Sequence, residues 1–204
     1  WDEIYQYLKQ IPRKAKVNRK TKETEIMVEL NLDGSGKSNI NTGLAFFDHM
    51  LELLAKHGFF DLTVQAKGDV DIDEHHTVED VGIVMGTAFL KALGDKAGIA
   101  RYGAAFVPME YALARAVVDL SGRSALDYRV ATGVEKIGDF DVQLVPEFFK
   151  AFADNARINL HIDLLKSSNG HHDIEAVFKA VARALADEVP PGPEDPALNP
   201  ASPA

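Results

Sequence analysis

An α+β fold built from two pseudo-repeated halves, each a sheet covered by helices, is the class this sequence predicts. Three observations carry it. The apolar residues switch repeatedly between the two-residue period of half-buried strands and the three-to-four-residue period of helices. The motif His75-His76-x-x-Glu79 returns as His171-His172-x-x-Glu175, 96 residues later. The 204 residues, 46% hydrophobic and 26% charged, are enough for one compact core or two small halves.

The elements follow in order. Arg13, Lys14, Lys16, Arg19, Lys20 and Lys22 crowd the start of the body. They read either as a solvated entry segment or as a patch facing an anionic ligand or another subunit. Glu25 to Leu32 alternates, with Ile26, Val28, Leu30 and Leu32 on one side, and predicts a strand closed by Asp33-Gly34-Ser35-Gly36. From Thr42 onward, Leu44, Phe47, Leu51 and Leu54 predict a helix ended by Gly58. A strand over 59–66 and a helix over 77–93 come next, the latter with Thr77 and Asp80 at capping-box spacing and Gly94 past its end. Strands over 113–120 and 141–144, a helix over 146–155, a strand over 158–164 and a helix over 173–188 complete the body.

The repeat extends beyond the histidine motif. Asp48-His49-Met50-Leu51 precedes Leu62-Thr63-Val64 by the interval at which Pro146-Glu147-Phe148-Phe149 precedes Leu160-His161-Ile162. The expected organisation is an N-terminal extension over 1–12, a domain over 13–189 with half-repeats of about 13–96 and 97–189, and a tail over 190–204. Six of the nine prolines fall in that tail, which predicts an extended or disordered segment.

Composition removes several function classes. The net charge of −9 disfavours nucleic acid. The longest apolar run near mid-chain, Gly82 to Leu90, is about half a membrane span, and no basic-plus-apolar leader is visible, so neither membrane nor export is expected. A cytoplasmic location is the default. No cysteine occurs, which excludes disulfides, thiolate metal sites and cysteine nucleophiles within this chain. P-loop, GxGxxG and GxSxG patterns are absent, and no glutamate lies between histidines four apart as in metalloproteases.

Four of the seven histidines stand as two adjacent pairs. If each motif opens a helix, His75 with Glu79 and His171 with Glu175 share a face at i,i+4, and His76 and His172 reach the same glutamates at i,i+3. Imidazole nitrogen with carboxylate oxygen suits Mn²⁺, Fe²⁺ or Zn²⁺. Adjacent helical residues point about 100° apart, so each pair more naturally gives one ring to each of two ions, or one to a neighbouring subunit. A dinuclear octahedral arrangement needs further ligands, which makes His49, its repeat mate Glu147, and Glu23 candidates. His57, at a helix end, and His161, within a strand, read as structural. Arg101 and Arg123 lie on tight glycine-containing loops, where planar guanidinium groups fit a phosphate or a surface ion pair. Lys179, four residues after Glu175, is either its helical partner or the next anionic contact along that face.

These blocks resemble the imidazoleglycerol-phosphate dehydratases of histidine biosynthesis from about Arg13 to Ala186. The resemblance is carried by Arg19-Lys20-Thr21-Lys22-Glu23-Thr24, Phe47-Asp48-His49-Met50-Leu51, Lys56-His57-Gly58, Asp73 through Asp80, Arg101-Tyr102-Gly103, Asp119 through Arg123, and His171-His172 through Phe178-Lys179-Ala180. It implies a duplicated ribosomal-protein-S5-domain-2-like fold. It also implies a 24-subunit particle built from trimers, active sites between subunits, and two Mn²⁺ per active site. Metal ligation falls on His49, His75, His76, Glu79, His171, His172 and Glu175, and phosphate contacts on Arg101, Arg123 and Lys179. Glu23 takes the acid–base role, with Glu79 and Glu175 as further carboxylates of the catalytic set. The implied reaction removes water from D-erythro-imidazoleglycerol phosphate to give imidazole acetol phosphate, through a manganese-bound imidazolate.

The chain departs from the family pattern in four places. Glu147 stands where a metal-binding histidine is usual, and we count it among the candidate ligands. Leu53 replaces a common glutamine, Glu110-Tyr111 replaces Asp-Glu, and no phosphate-holding Ser-Thr-Lys-Gly segment is recognisable in 190–204. A divergent homologue with altered substrate, or a catalytically weakened metal-binding assembly protein, is the alternative these departures suggest.

Overall fold

The computed structural model describes residues 13–68, 73–96 and 99–188. The expected extension over 1–12 and the expected tail over 190–204 lie outside them. The first half consists of β1 (Lys14–Lys20), β2 (Thr24–Asn31), β3 (Ser38–Asn41), α1 (Ala45–Gly58), β4 (Asp61–Gly68) and α2 (Glu74–Leu93). The second consists of β5 (Tyr102–Met109), β6 (Ala112–Asp119), β7 (Ala125–Arg129), the short pair β8 (Lys136–Ile137) and β9 (Phe140–Asp141), α3 (Leu144–Ala156), β10 (Asn159–Lys166) and α4 (Gly170–Glu188).

The two main sheets have the same topology, β1-β2-β4-β3 and β5-β6-β10-β7. In each, one parallel edge strand joins an antiparallel trio. Registers correspond across the repeat: Val17, Val28, Val64 and Ile40 form one cross-strand row, and Ala105, Ala116, Ile162 and Tyr128 form its mate. Alternation decides which face is covered. Along β2, Ile26, Val28 and Leu30 are buried while Glu25 and Glu29 face outward. Each sheet buries one apolar face, and the helices lie against it. α2 packs on β1, β2 and β4, and α4 on β5, β6 and β10. The halves then join helix to helix, α2 against α3 and α1 against α4. The helices form a layer between the sheets, which is the duplicated fold the sequence predicts.

Aromatic residues fill this layer. The Phe148 ring meets Phe47 at 5.2 Å edge-on and stacks on Phe178 at 5.7 Å. Two glycines let α2 approach α3: a Cβ at Gly82 would lie 2.7 Å from the Phe148 carbonyl, and one at Gly86 would lie 2.5 Å from that of Phe152. Helix ends also match across the repeat. Phe59 and Arg157 both take left-handed conformations, φ 58° and 54°, and donate their N–H groups to Ala55 and Ala153.

Several expectations change. The basic segment is β1, an edge strand whose charges are neutralised locally: Lys16 pairs with Glu29, Lys20 with Glu25 and Arg19 with Asp80. Only Ala15 and Val17 give it an apolar side, too little to read as alternation. Thr77 and Asp80 are not a capping box. The helix begins earlier, at Glu74, because Asp73 accepts the His75 N–H at 2.8 Å. Phe59 rather than Gly58 caps α1. The strand expected over 141–144 shrinks to the two residues of β9, since α3 takes over at Leu144.

Candidate metal centre

Two helix starts build the site. At α1, Asp48 accepts the Thr42 backbone N–H at 2.8 Å and the Thr42 hydroxyl, so the first turn is held from within. The next residue is His49. At α4, the Asn169 side chain accepts the His172 N–H at 3.0 Å, and Asp173 accepts the Ser168 N–H at 2.8 Å and the Ser167 hydroxyl at 2.7 Å. The packing of α1 on α4 then brings their first turns together.

The result is a three-ligand group. Glu175 Oε1 lies 3.1 Å from His49 Nε2 and 3.1 Å from His171 Nε2. One ligand atom from each residue falls within 4.8 Å of the other two. Glu175 is buried, whereas both imidazoles keep nearly half of their side-chain surface exposed, so an ion can enter from solvent. Burial alone would raise the Glu175 pKa, but Lys179, His49 and His171 outweigh it and hold the carboxyl at about 2. Lys179 Nζ holds Oε2 at 2.7 Å, which leaves Oε1 as the single oxygen facing the two rings. Two imidazole nitrogens and one carboxylate oxygen fit a first-row divalent ion. Farther along α1, burial, then Lys179, Lys56 and Arg183, lower the His57 pKa, which keeps that ring neutral near pH 7.

The repeat mate is more open. His75 Nε2 stands 3.9 Å from Glu79 Oε2. His75 and the half-buried Glu147, on the first turn of α3, line one cleft with Asp73, Glu74, Lys136 and Asp141. Burial pushes the Glu74 carboxyl above its ordinary value there. Among the described residues, only His49, His171 and Glu175 form such a group; His75, His76, Glu79, Glu147 and His172 stay outside it. The adjacent rings explain part of this. His75 and His76 are inclined at 83°, and so are His171 and His172. His172 Nδ1 turns instead toward Asn169 Nδ2 at 3.0 Å and Glu110 Oε2 at 3.4 Å.

The remaining candidates are dispersed. Glu23 is exposed on the β1–β2 turn. Arg101 forms a two-point pair with Asp119, at 2.7 and 3.2 Å, and Arg123 lies close enough to add to the field on that carboxylate. Lys179 lies near the other end of β5, 3.3 Å from Met109 Sδ. A strand of eight residues separates those ends, about 24 Å at ~3.4 Å per residue. One copy of the chain therefore does not gather Arg101 and Lys179 at one phosphate. His161 rests 3.4 Å from Asp127 on the outer sheet face. Asp48 and Asn169, which orient the ligand-bearing turns, are absent from the sequence-based candidates. Asn169 carried a usable signal, a cap-type residue one helical turn ahead of the apolar period that begins at Ile174.

The model for the family "imidazoleglycerol-phosphate dehydratase" matches residues 42–185. The chain is 55% identical to the imidazoleglycerol-phosphate dehydratase of Acidithiobacillus ferrooxidans over 182 residues, covering 89% of this chain and 92% of that one. It is 59% identical to that of Acetivibrio thermocellus over 175 residues, covering 86% and 90%. Among solved structures, the Staphylococcus aureus imidazoleglycerol-phosphate dehydratase superposes with a TM-score of 0.79 at 41% identity, covering 88% of this chain and 99% of that one. The Pyrococcus furiosus enzyme in complex with (S)-C348 gives 0.73 at 32%, covering 89% and 98%. With two sheets enclosing a helical layer, and a His/His/Glu group where α1 meets α4, the chain belongs to the imidazoleglycerol-phosphate dehydratase family, metal-dependent hydro-lyases of histidine biosynthesis.

Proposed function

We propose that this protein converts D-erythro-imidazoleglycerol phosphate to imidazole acetol phosphate, using two Mn²⁺ per active site. The observation that carries the reading is the His49, His171 and Glu175 group in a chain of this family. In this reading those residues hold one ion. His75, Glu79 and Glu147 serve the other, and His76 and His172 contribute to whichever ion their rings face. When bound, the metal supplies Lewis acidity and a template for the imidazole.

The chain's own groups do the rest. Glu23 removes a proton from the side-chain carbon next to the one that loses its hydroxyl, directly or through one water. The departing water combines that hydroxyl with one proton, and the resulting enol becomes the ketone. Arg101, Arg123 and Lys179 hold the phosphate, the guanidinium groups as two-point donors. What supports a site shared between copies is the separation of Arg101 from Lys179 and the exposure of Glu23 in a single copy. A 24-mer built from trimers satisfies this, and a cytoplasmic location accompanies the biosynthetic role.

Two measurements on manganese-loaded protein test the reading: light scattering, and turnover of the phosphorylated substrate. A large particle that forms imidazole acetol phosphate is expected. A monomer would remove the shared site, and manganese uptake without product would favour an assembly protein that has lost turnover.

A further inference from the structure

Among the described residues, one carboxylate-centred contact between hairpin and helix in the first half is not repeated at the matching positions of the second. There the hairpin meets its helix instead through Glu110 and His172 at 3.4 Å and Met109 and Lys179 at 3.3 Å. Asp80, on α2 one residue past Glu79, is 8% exposed. Its Oδ1 accepts from Arg19 Nε at 2.9 Å, and its Oδ2 accepts from the Thr24 hydroxyl. Arg19 lies on β1 and Thr24 on β2, so one carboxylate ties both strands to the helix. The turn between them is fastened as well. Thr21 Oγ1 accepts the N–H of Glu23 at 3.1 Å and that of Thr24 at 2.9 Å, and the Thr21 N–H donates to the Thr24 carbonyl at 2.9 Å.

The repeat supplies an internal control. Arg19 pairs across its hairpin with Ile26 as Val107 pairs with Ala114, which makes Val107 the mate of Arg19 and Ala112 the mate of Thr24. The histidine motif makes Ala176 the mate of Asp80. The second hairpin thus packs on its helix with Val107, Ala112 and Ala176, of which the alanines are fully buried. Packing alone does not require the polar trio, and an ion pair with an exposed partner, as Arg19 is here, generally contributes little stability. The halves also differ in where the turn carries its carboxylate: the mate of Glu23 is Tyr111, and Glu110 beside it faces His172 at 3.4 Å.

We propose that Asp80, held between Arg19 and Thr24, is a positioning residue that fixes the Glu23-bearing turn relative to the α2 face carrying His75, His76 and Glu79. This rests on the reading of Glu23 as the acid–base group. The contact holds the turn from below, through the first residue of β2 and the penultimate residue of β1, and leaves Glu23 itself free to reach substrate.

The test transplants the second half's solution into the first, as Arg19→Val/Thr24→Ala/Asp80→Ala, with Thr24→Val as a milder single change that keeps the branched side chain. Because the chain has no cysteine, Lys22→Cys gives one nitroxide attachment point on the turn. The triple variant should shorten the label's correlation time at least about twofold, with thermal midpoint and manganese content close to the parent. An unchanged spectrum would overturn the proposal. In kinetics, both variants should lower kcat about tenfold with KM within about threefold. In a Glu23→Gln background, neither should cause further loss. A tenfold loss persisting in that background would overturn action through Glu23. If Glu23→Gln alone left kcat unchanged, the acid–base reading would fall, and the nitroxide spectrum would still decide whether the trio holds the turn.

Discussion

His49 and Glu175, 126 residues apart in the chain, meet at 3.1 Å across the contact between α1 and α4. Neither residue has that neighbour within its own half. The group exists because two copies of one motif dock helix to helix, and the same Glu175 oxygen serves His171 one helical turn away. Removing this carboxylate should therefore uncouple both rings. Glu175→Gln should weaken manganese affinity at least about tenfold and also free Lys179. Calorimetric titration of metal-free protein with Mn²⁺ checks it, and an unchanged affinity would show that the group is not a ligand set.

His75→Ala and His171→Ala should each lower the manganese held after dialysis, as counted by atomic absorption. Two full equivalents per subunit in both variants would contradict the two-site assignment. If the ions are shared between copies, both variants should also form smaller particles at low metal concentration, because metal bound only by the assembly stabilises it by mass action.

Glu147 tests whether the cleft beside His75 is a metal site. A carboxylate there also faces the positive end of α3, worth a few tenths to ~1 kcal/mol, which is the bland account of its presence. If it is a ligand, Glu147→His should tighten Zn²⁺ relative to Mn²⁺ and raise turnover with Mn²⁺. Unchanged metal preference together with unchanged turnover would leave it a helix-terminus charge.

Asp61 sets an acid limit on stability away from the site. Burial alone would raise its pKa, but the Ser35 and Lys37 N–H groups, at 2.8 and 3.1 Å, and the Asn31 amide bring it below its ordinary value. A depressed carboxyl contributes stability above its unfolded pKa and loses it as pH falls through the folded one. Asp61→Asn should lower stability at pH 7 by about 1–2 kcal/mol, and the difference from the parent should shrink toward pH 3. Urea melts at both pH values measure this; a gap equally wide at both would rule out the carboxylate as its source.

Gly82→Ala and Gly86→Ala should each destabilise the fold by about 1–3 kcal/mol, since the new methyl groups would press on the Phe148 and Phe152 carbonyls of α3. Ordinarily alanine is the better helix former by ~1 kcal/mol, so the sign alone is informative. Thermal melts that rose for either variant would mean that α2 and α3 are not in close contact there.

Legibility followed the range of the interactions. The helices around Phe47, Val84 and Phe178 and the strand around Val28 could be read because periodic burial leaves a local pattern. The edge strands could not. β1 has two apolar side chains, and β5 exposes Tyr102 and Phe106 on its outer face, so pairing partners rather than composition make them strands. The helix start at Asp73 was hidden by a second cap-like pair, Thr77 and Asp80, of which Asp80 instead binds Arg19 and Thr24 on the neighbouring strands and Thr77 is fully buried.

The sequence by itself determined the duplication, the recurrence of a His-His-x-x-Glu motif beside a helix in each half and the donor chemistry, because each depends on residue type and spacing along one segment. Tertiary structure alone decided which of those donors share a site. Two adjacent imidazoles on one helix point apart, so a three-ligand group had to draw His49 from another helix. The docking of two half-apolar sheets through a common helical layer is what sets that pairing. The same packing left Asp80 bound to Arg19 and Thr24 across three elements, a contact that no periodicity in any one of them announces.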